Sequence, residues 1–514
     1  MRDREPAALD GLKRWNALRC GVIWRWWIWL LVALVATTLG FLATQIDMLA
    51  ADPLWYAEIA HRLAVDPAGV FASHETHPFV MRIGLTIPLS LLYRGFGVSL
   101  LVTNLPVLFS ELAIVTVAYV AAPTPRAKLI AMIACITCVP MILQANRLNA
   151  DLPSAALMAV SILGLSLRDR RHGRWWLIAA VVAWMFAFLV KETALWCVPV
   201  WIYALVRDVR LTSWRDVGRT YAPAIVVGIV LAIAYLALCA WLWGDPLARF
   251  NGIRGAVEAV HEVASYGPAW SISVARMTWQ VPYMVVTMFR VLLVPVVVAP
   301  WLVRGRDRIW WVACATMILL YWFGSSTTAT YMPLPISQRL IAPALPFVLV
   351  TAALATDAAL ELAWLQRLRA PIVAVLLVAV FVPWLRTIRT LRRHGQPETA
   401  VFATLRHEIG TRPLLLVCGE PRCIALTDFY LGFEPRPDFT VLGSAEFARS
   451  PRPHDVTVRA LVNRPRGRGI RATDPALDAT GKIDAVGLAL IDGDEDIRLY
   501  DAGDGTRLWD ALQH

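Results

Sequence analysis

Charged side chains are scarce in this 514-residue chain. Asp, Glu, Lys and Arg make up 17% of it, where a soluble domain carries about 25%. With 58% hydrophobic residues and a mean hydropathy of +0.56, that shortage excludes a disordered chain, a collagen-like repeat and a small disulfide scaffold. Lysine is the scarcest charge, with 4 residues against 45 arginines, a bias read as codon usage and not as chemistry. No glycine-rich phosphate loop is present, so ATP or nucleotide-sugar use at a soluble site has no support. Of the 8 cysteines, Cys20, Cys135, Cys138, Cys197, Cys239 and Cys314 lie in or beside apolar segments and read as inert small hydrophobes.

What the chain has in abundance is apolar blocks of about 18 to 22 residues, the length that crosses a bilayer. The first, roughly Trp24 to Leu42, is too long for a signal-peptide core and has no small-residue cleavage site after it. It reads as an uncleaved span. Ten more follow near 100–120, 129–145, 152–167, 175–190, 192–206, 221–243, 280–303, 309–324, 338–357 and 371–388. The expectation is a polytopic α-helical membrane protein of about eleven spans. Segment 78–94 is also apolar, but Arg82, Pro88 and Arg94 make it an interfacial helix.

The net charge of +11 would suggest nucleic acid in a soluble protein. Here the basic residues sit in short loops. Alternate loops hold 21 Lys and Arg in one set and 8 in the other. The richer set, which includes the N-terminus, is cytoplasmic by the positive-inside rule. Trp26-Trp27, Trp175-Trp176 and Trp310-Trp311 each follow a basic cluster, as interface anchors do. The transmembrane domain then covers 1–390, with a first outer loop at 45–99, and 395–514 forms a small extracytoplasmic domain. Runs at Leu414–Cys418, Val456–Leu461 and Val486–Ile491, preceded by a helical stretch, make that domain α/β. Cys418 and Cys423 fit a disulfide or two free thiols there, and a zinc site lacks further ligands. Asp492-Gly-Asp494-Glu-Asp496 reads as a polar turn, since Ile497 stands where a calcium loop needs glycine. Arg464 to Arg471 reads as a solvated loop.

Charges at a membrane edge are costly and therefore functional candidates. The outer loops carry Asp52, Tyr56 and Glu58, then Glu75 and His77, then Arg147 and Asp151, then Lys191 and Glu192, and last Gln338 and Arg339. Asp52-Pro53 is also an ordinary helix start. Arg147 and Asp151 are four apart, a spacing that pairs them on one helical face. Cations from these loops suit an anionic headgroup at the interface, and a carboxylate suits proton abstraction from a hydroxyl.

These residues resemble the GT-C glycosyltransferases that use polyprenyl-phosphate sugars, in particular the protein O-mannosyltransferases and the lipid A aminoarabinose transferases. The resemblance rests on Asp52 before Trp55-Tyr56-Ala-Glu-Ile-Ala60, on His77-Pro78, on Tyr93-Arg-Gly-Phe-Gly97 and on Asn104-Leu-Pro106. It continues with Arg147-x-x-x-Asp151, Leu189-Val-Lys191-Glu192 and Arg339-Leu-Ile-Ala-Pro343-Ala-Leu-Pro346, covering roughly residues 24–350 in order. Departures are Asn104 for the family's Arg, one proline after His77 and Asp52-Pro53 for Asp-Glu. The C-terminal domain matches by position and class alone.

The resemblance implies a GT-C fold in a bacterial plasma membrane and transfer of one sugar, with inversion, from a polyprenyl-phosphate carrier to an extracytoplasmic acceptor hydroxyl. It makes Asp52 the general base. Asp151 would orient the acceptor or pair with Arg147. Arg147, Lys191 and Arg339 would hold the donor phosphate, and Glu75, His77 and Tyr56 would line the substrate pocket. No cofactor is required; a divalent metal beside paired carboxylates is compatible but no ligand cluster demands one. The partners implied are the donor lipid, the bilayer and an acceptor protein, lipid or glycan, with no nucleic acid. The alternative is a transporter or carrier-lipid flippase without covalent chemistry, which calls for midplane charges and an internal repeat.

Overall fold

The computed structural model describes residues 27–48, 52–73, 77–169, 172–262, 275–325, 334, 336–394, 396–409, 413–418, 421–433, 436–450, 456–463, 489–493, 497–503 and 505–513. Glu75, Trp26, the arginine run 464–471 and residues 494–496 of the acidic turn lie outside them. The chain folds as two compact units. One comprises the described residues up to Thr44 with His74–Leu85 and Pro106–Arg389; the other comprises Gln45–Ser73, Thr86–Leu105 and Thr390–His514.

The first unit is a bundle of apolar helices. A helix occurs at each place where a span is expected, and among the described residues six are long and apolar enough to cross a bilayer by themselves: Leu100–Ala121, Gly173–Val190, Trp214–Trp243, Arg276–Leu302, Ala342–Ala359 and Leu365–Arg392. Pro125–Ile136 and Val139–Ala145 make a seventh if counted as one span bent by 52°. The remaining positions hold shorter helices, such as Trp27–Ala43 and Asp151–Ser166. The expected span at 192–206 is split, a 3-10 turn over Glu192–Cys197 running into Val198–Leu211. Segment 78–94 divides at Arg82 into Pro78–Met81 and Ile83–Phe96.

Sequence fixes these boundaries locally. Ser213 caps Trp214–Trp243 by accepting from the Asp216 N–H, and Gly244, at φ +72°, closes it in the left-handed conformation that only glycine adopts cheaply. Asp151–Ser166 is buried along nearly its whole length and rich in Ser and Ala, the small residues that let membrane helices approach closely. Gly164 shows how close: a Cβ there would lie 2.7 Å from the Trp176 carbonyl oxygen. Leu365–Arg392, by contrast, buries none of its apolar stretch and presents it to lipid.

At the bundle end expected to be cytoplasmic, arginines meet carboxylates. Arg168 grips Asp208 at 2.5 and 2.6 Å, and Tyr221 donates to the same carboxylate at 2.8 Å. Burial acts to raise the Asp208 carboxyl, but Arg168 holds it below its ordinary range. Arg126 likewise pairs with Asp357, and with Glu361 at 3.0 Å.

In the second unit a five-stranded sheet has the order β2-β1-β3-β5-β4, with β1 Leu414–Cys418, β2 Phe439–Gly443, β3 Thr457–Asn463, β4 Ala489–Gly493 and β5 Ile497–Asp501. Strand β1 runs parallel to β2 and β3, while β5 is antiparallel to β3 and β4. All five side chains of β1 are buried, as a central parallel strand covered on both faces requires. Cys418 at its end is joined to Cys423 by a disulfide, Cα to Cα 5.6 Å, which resolves the question left open by the sequence. The other described cysteines are free and buried. Asp47 ties the loop after the first helix into this unit: Oδ1 accepts from Thr399 N, Thr399 Oγ1 and Tyr430 Oη at 3.1, 2.7 and 3.2 Å.

The tryptophan pairs do not behave alike. Trp27, Trp175 and Trp176 are 56%, 70% and 40% exposed, as anchors are, but Trp310 is 1% exposed and packs on Phe347. Its neighbours explain the difference, since Arg308–Phe323 lies against the largely buried helix Leu345–Ala359. Trp310→Ala is expected to cost about 3–5 kcal/mol and Trp175→Ala less than about 0.5 kcal/mol. Thermal unfolding of the detergent-solubilised protein separates the two.

Candidate functional site

Two helix ends and one turn of the first unit bring three of the expected residues together. Asp151 is the first residue of Asp151–Ser166, where the helix dipole favours a carboxylate. Lys191 breaks the next helix: extended at φ −155°, it follows Gly173–Val190, whose C-terminal end favours a cation. Lys191 Nζ donates to Asp151 Oδ1, and Arg339 Nε lies 3.5 Å from Asp151 Oδ2. The Asp151 and Lys191 side chains are only 3% and 8% exposed, and Arg339 is 31% exposed. The lysine expected at the outer surface is therefore buried. Burial pushes its ammonium below the ordinary range; Asp151 opposes this, while Arg82 and Arg339 reinforce it.

Arg147 does not share a helical face with Asp151, because residues 146–150 form no helix. Asn149 holds that connection, its side-chain amide donating to the carbonyls of Gln144 and Arg147 at 2.8 and 3.0 Å. Its Oδ1 accepts from Leu152 N at 3.0 Å, opening the helix that carries Asp151. Asp151, expected to orient the acceptor or pair with Arg147, accepts from Lys191 and lies within ion-pair distance of Arg339. Arg147 itself is half-buried.

A second ion cluster begins one residue on. Glu192 accepts from Arg82 Nη2 at 3.2 Å and from Arg249 Nε and Nη2 at 3.1 and 2.9 Å. Arg249 is 1% exposed, its guanidinium stands 4.6 Å over the Phe188 ring, and its Nη1 is buried with no hydrogen-bond partner among the described residues. Arg82 reaches Glu192 because Gly84 lets the chain pass close to Leu189 and Val190; a Cβ on Gly84 would sit 2.7 Å from their backbone. The two clusters join through the 191–192 peptide. Four cations, Lys191, Arg339, Arg82 and Arg249, face two carboxylates, Asp151 and Glu192. Arg82 and Arg249 were missed as site residues in the sequence; their location in an apolar segment and an outer loop was the available signal.

The other expected residues fall elsewhere. His77 caps Pro78–Met81, its Nδ1 accepting from Phe79 N at 3.5 Å, and its ring stacks on Phe79. Asp52 and Tyr56 belong to the second unit, Asp52 half-buried at the start of Asp52–Val65 and Tyr56 buried one turn later. Glu75 is outside the described residues. Two residues went unremarked in the sequence reading. Glu111 is buried in the middle of Leu100–Ala121, its Oε2 without a partner among the described residues. Arg276, 1% exposed, opens a π-helical turn over Arg276–Gln280, a distortion common at functional sites. Among the described residues no group of three His, Cys, Asp or Glu is positioned to hold a metal ion.

The apolar helices mark a multi-pass membrane protein, and the solved structures it resembles give its fold as GT-C. ArnT from Cupriavidus metallidurans, a lipid A aminoarabinose transferase, matches in its apo state with a TM-score of 0.57 at 17% identity, over 92% of this chain and 97% of that one. The structure of ArnT bound to undecaprenyl phosphate matches with a TM-score of 0.55 at 16% identity, over 92% and 98%. At such identities the likeness carries the fold. No family model matches the chain, and no curated protein does.

Removing Asp151 leaves the buried Lys191 without the carboxylate it donates to, so Asp151→Ala should cost about 3–5 kcal/mol. Adding Lys191→Met should return a substantial part of that loss. Thermal unfolding of both variants checks the coupling; a double variant no more stable than Asp151→Ala alone would contradict it.

Proposed function

We propose that the chain is a membrane glycosyltransferase that moves one sugar from a polyprenyl-phosphate carrier to an acceptor hydroxyl on the extracytoplasmic face. The observation that carries this reading is the convergence of four cations, Lys191, Arg339, Arg82 and Arg249, on Asp151 and Glu192. Buried charge is retained where it meets an opposite charge, and a lipid-linked phosphate supplies one at a membrane edge. The fold shared with ArnT, one of whose structures is bound to undecaprenyl phosphate, supports that choice of carrier.

In this mechanism the Asp52 carboxylate takes the acceptor proton. The acceptor oxygen forms its bond to the anomeric carbon from the face opposite the phosphate, while the bond from that carbon to the phosphate oxygen breaks. The polyprenyl phosphate leaves with the electron pair, and the sugar inverts. Lys191, Arg339 and Arg147, joined by Arg82 and Arg249, stabilise the charge that grows on the leaving group. Asp151 and Glu192 act as positioning residues for those cations. Tyr56 and His77 are assigned to the sugar or acceptor pocket, as is Glu75, which is outside the described residues. A carrier-lipid flippase without covalent chemistry is a second reading, favoured by Glu111 buried mid-helix.

Asp52→Asn should lower consumption of radiolabelled polyprenyl-phosphate sugar by about 10²–10⁴-fold with unaltered thermal unfolding. Undiminished turnover by the folded variant would remove Asp52 from the mechanism. Movement of the carrier across proteoliposomes with no transferred sugar would replace the transferase by the flippase.

A further inference from the structure

The second unit encloses a cavity of about 420 Å³ lined by the C-terminal parts of Asp52–Val65 and Ile83–Phe96, the helix Pro397–Glu408 and the turn after Pro421–Tyr430. His61, Arg94, Arg406 and Arg436 line it, with no carboxylate among the described lining residues. Arg94 Nε and Nη2 donate to the carbonyls of Ala64 and Leu63 at 2.8 and 3.1 Å, capping Asp52–Val65. Arg406 donates to the carbonyl of Tyr430. Arg436 Nε is buried and has no hydrogen-bond partner among the described residues.

Carbonyl partners satisfy donors without neutralising charge. Each guanidinium offers five N–H groups, and the contacts described use two on Arg94 and one on Arg406. Among the described residues none of the three arginines forms an ion pair with a carboxylate. Their wall is shaped by a turn in which Gly432 and Phe433 both adopt left-handed conformations, φ +83° and +58°. A bulky aromatic is rarely held there; here its ring stacks on His61 at 4.9 Å.

We propose that this cavity binds an anion, the phosphate monoester of a sugar. Three arginines from three separate segments match a group with three charged oxygens better than a two-oxygen carboxylate. The volume lies in the range of about 300–1,000 Å³ typical of small-ligand sites, which leaves room for a sugar ring beside the phosphate. The site lies apart from the Asp151 and Glu192 clusters in the residues that build it, and it stands whether or not the transferase reading holds, because binding is measured without turnover.

The test is calorimetric titration of the full-length protein in detergent with glucose 1-phosphate, with glucose and inorganic phosphate as separate probes. Glucose 1-phosphate should bind saturably and glucose should not. Arg406→Gln and Arg436→Gln should each weaken binding about tenfold or more, and Arg436→Gln, whose Nε has no hydrogen-bond partner among the described residues, should do so with thermal unfolding unchanged. Arg94 is left intact because it caps a helix. Absence of saturable glucose 1-phosphate binding at millimolar concentration would overturn the proposal. Equal binding by a folded Arg406→Gln/Arg436→Gln variant would also overturn it, and binding of inorganic phosphate alone would refute the sugar ester.

Discussion

The contact between Lys191 and Asp151 is the constraint on which the first unit's site depends. An isolated ammonium or carboxylate taken out of water is strongly disfavoured, and the pair is tolerable only if its geometry is held. That geometry comes from backbone and not from side-chain reach. Asp151 opens one helix and Lys191 interrupts another, so two helix dipoles point their favourable ends at the two charges. Once Lys191 is fixed, Glu192 is fixed with it, and Arg82 and Arg249 follow from Glu192. A displacement of the chain at 190–191 would disturb both clusters at once.

Much of this architecture is legible in the sequence because membrane helices announce themselves by length and hydropathy. The helix positions, the α/β character of the C-terminal part and the interest of a lone lysine at 191 all follow from local pattern. The failures have a common physical cause. Whether Trp310 faces lipid or protein depends on the neighbour Phe347, 37 residues away in sequence, and hydropathy is the same in either case. Arg147 and Asp151 have helical spacing, but Asn149 stops one helix and starts another between them. The ties from Arg82 and Arg249 to Glu192 span 110 and 57 residues; no local pattern encodes them. The strands Phe439–Gly443 and Ile497–Asp501 were passed over for the same reason, since their pairing partners lie elsewhere in the chain.

The charge of the chain also divides by environment. A cation that meets a carboxylate of matching geometry is structural: Arg168 on Asp208 and Arg126 on Asp357 hold helix ends together. Near Asp151 and Glu192 four cations share two carboxylates, a denser clustering of one sign than either of those pairs. In the second unit Arg459 illustrates the consumed kind, gripping both Glu408 and Asp501, whereas the cavity arginines have only carbonyls. Counting partners, and not counting charges, separates scaffold from site.

The identity of the cations sharpens this distinction. In a chain that uses arginine eleven times as often as lysine, the one buried position at the helix break is lysine. A guanidinium is planar and directs its donors as a fork, while an ammonium is a compact point charge with three rotatable donors. Arg82 and Arg249 approach Glu192 in the forked manner, each presenting two nitrogens to one carboxylate. Lys191 has Asp151 on its Nζ and a helix end behind it, in a space set by backbone on both sides. At this junction the chain sets a compact point charge, and not a fork, against Asp151.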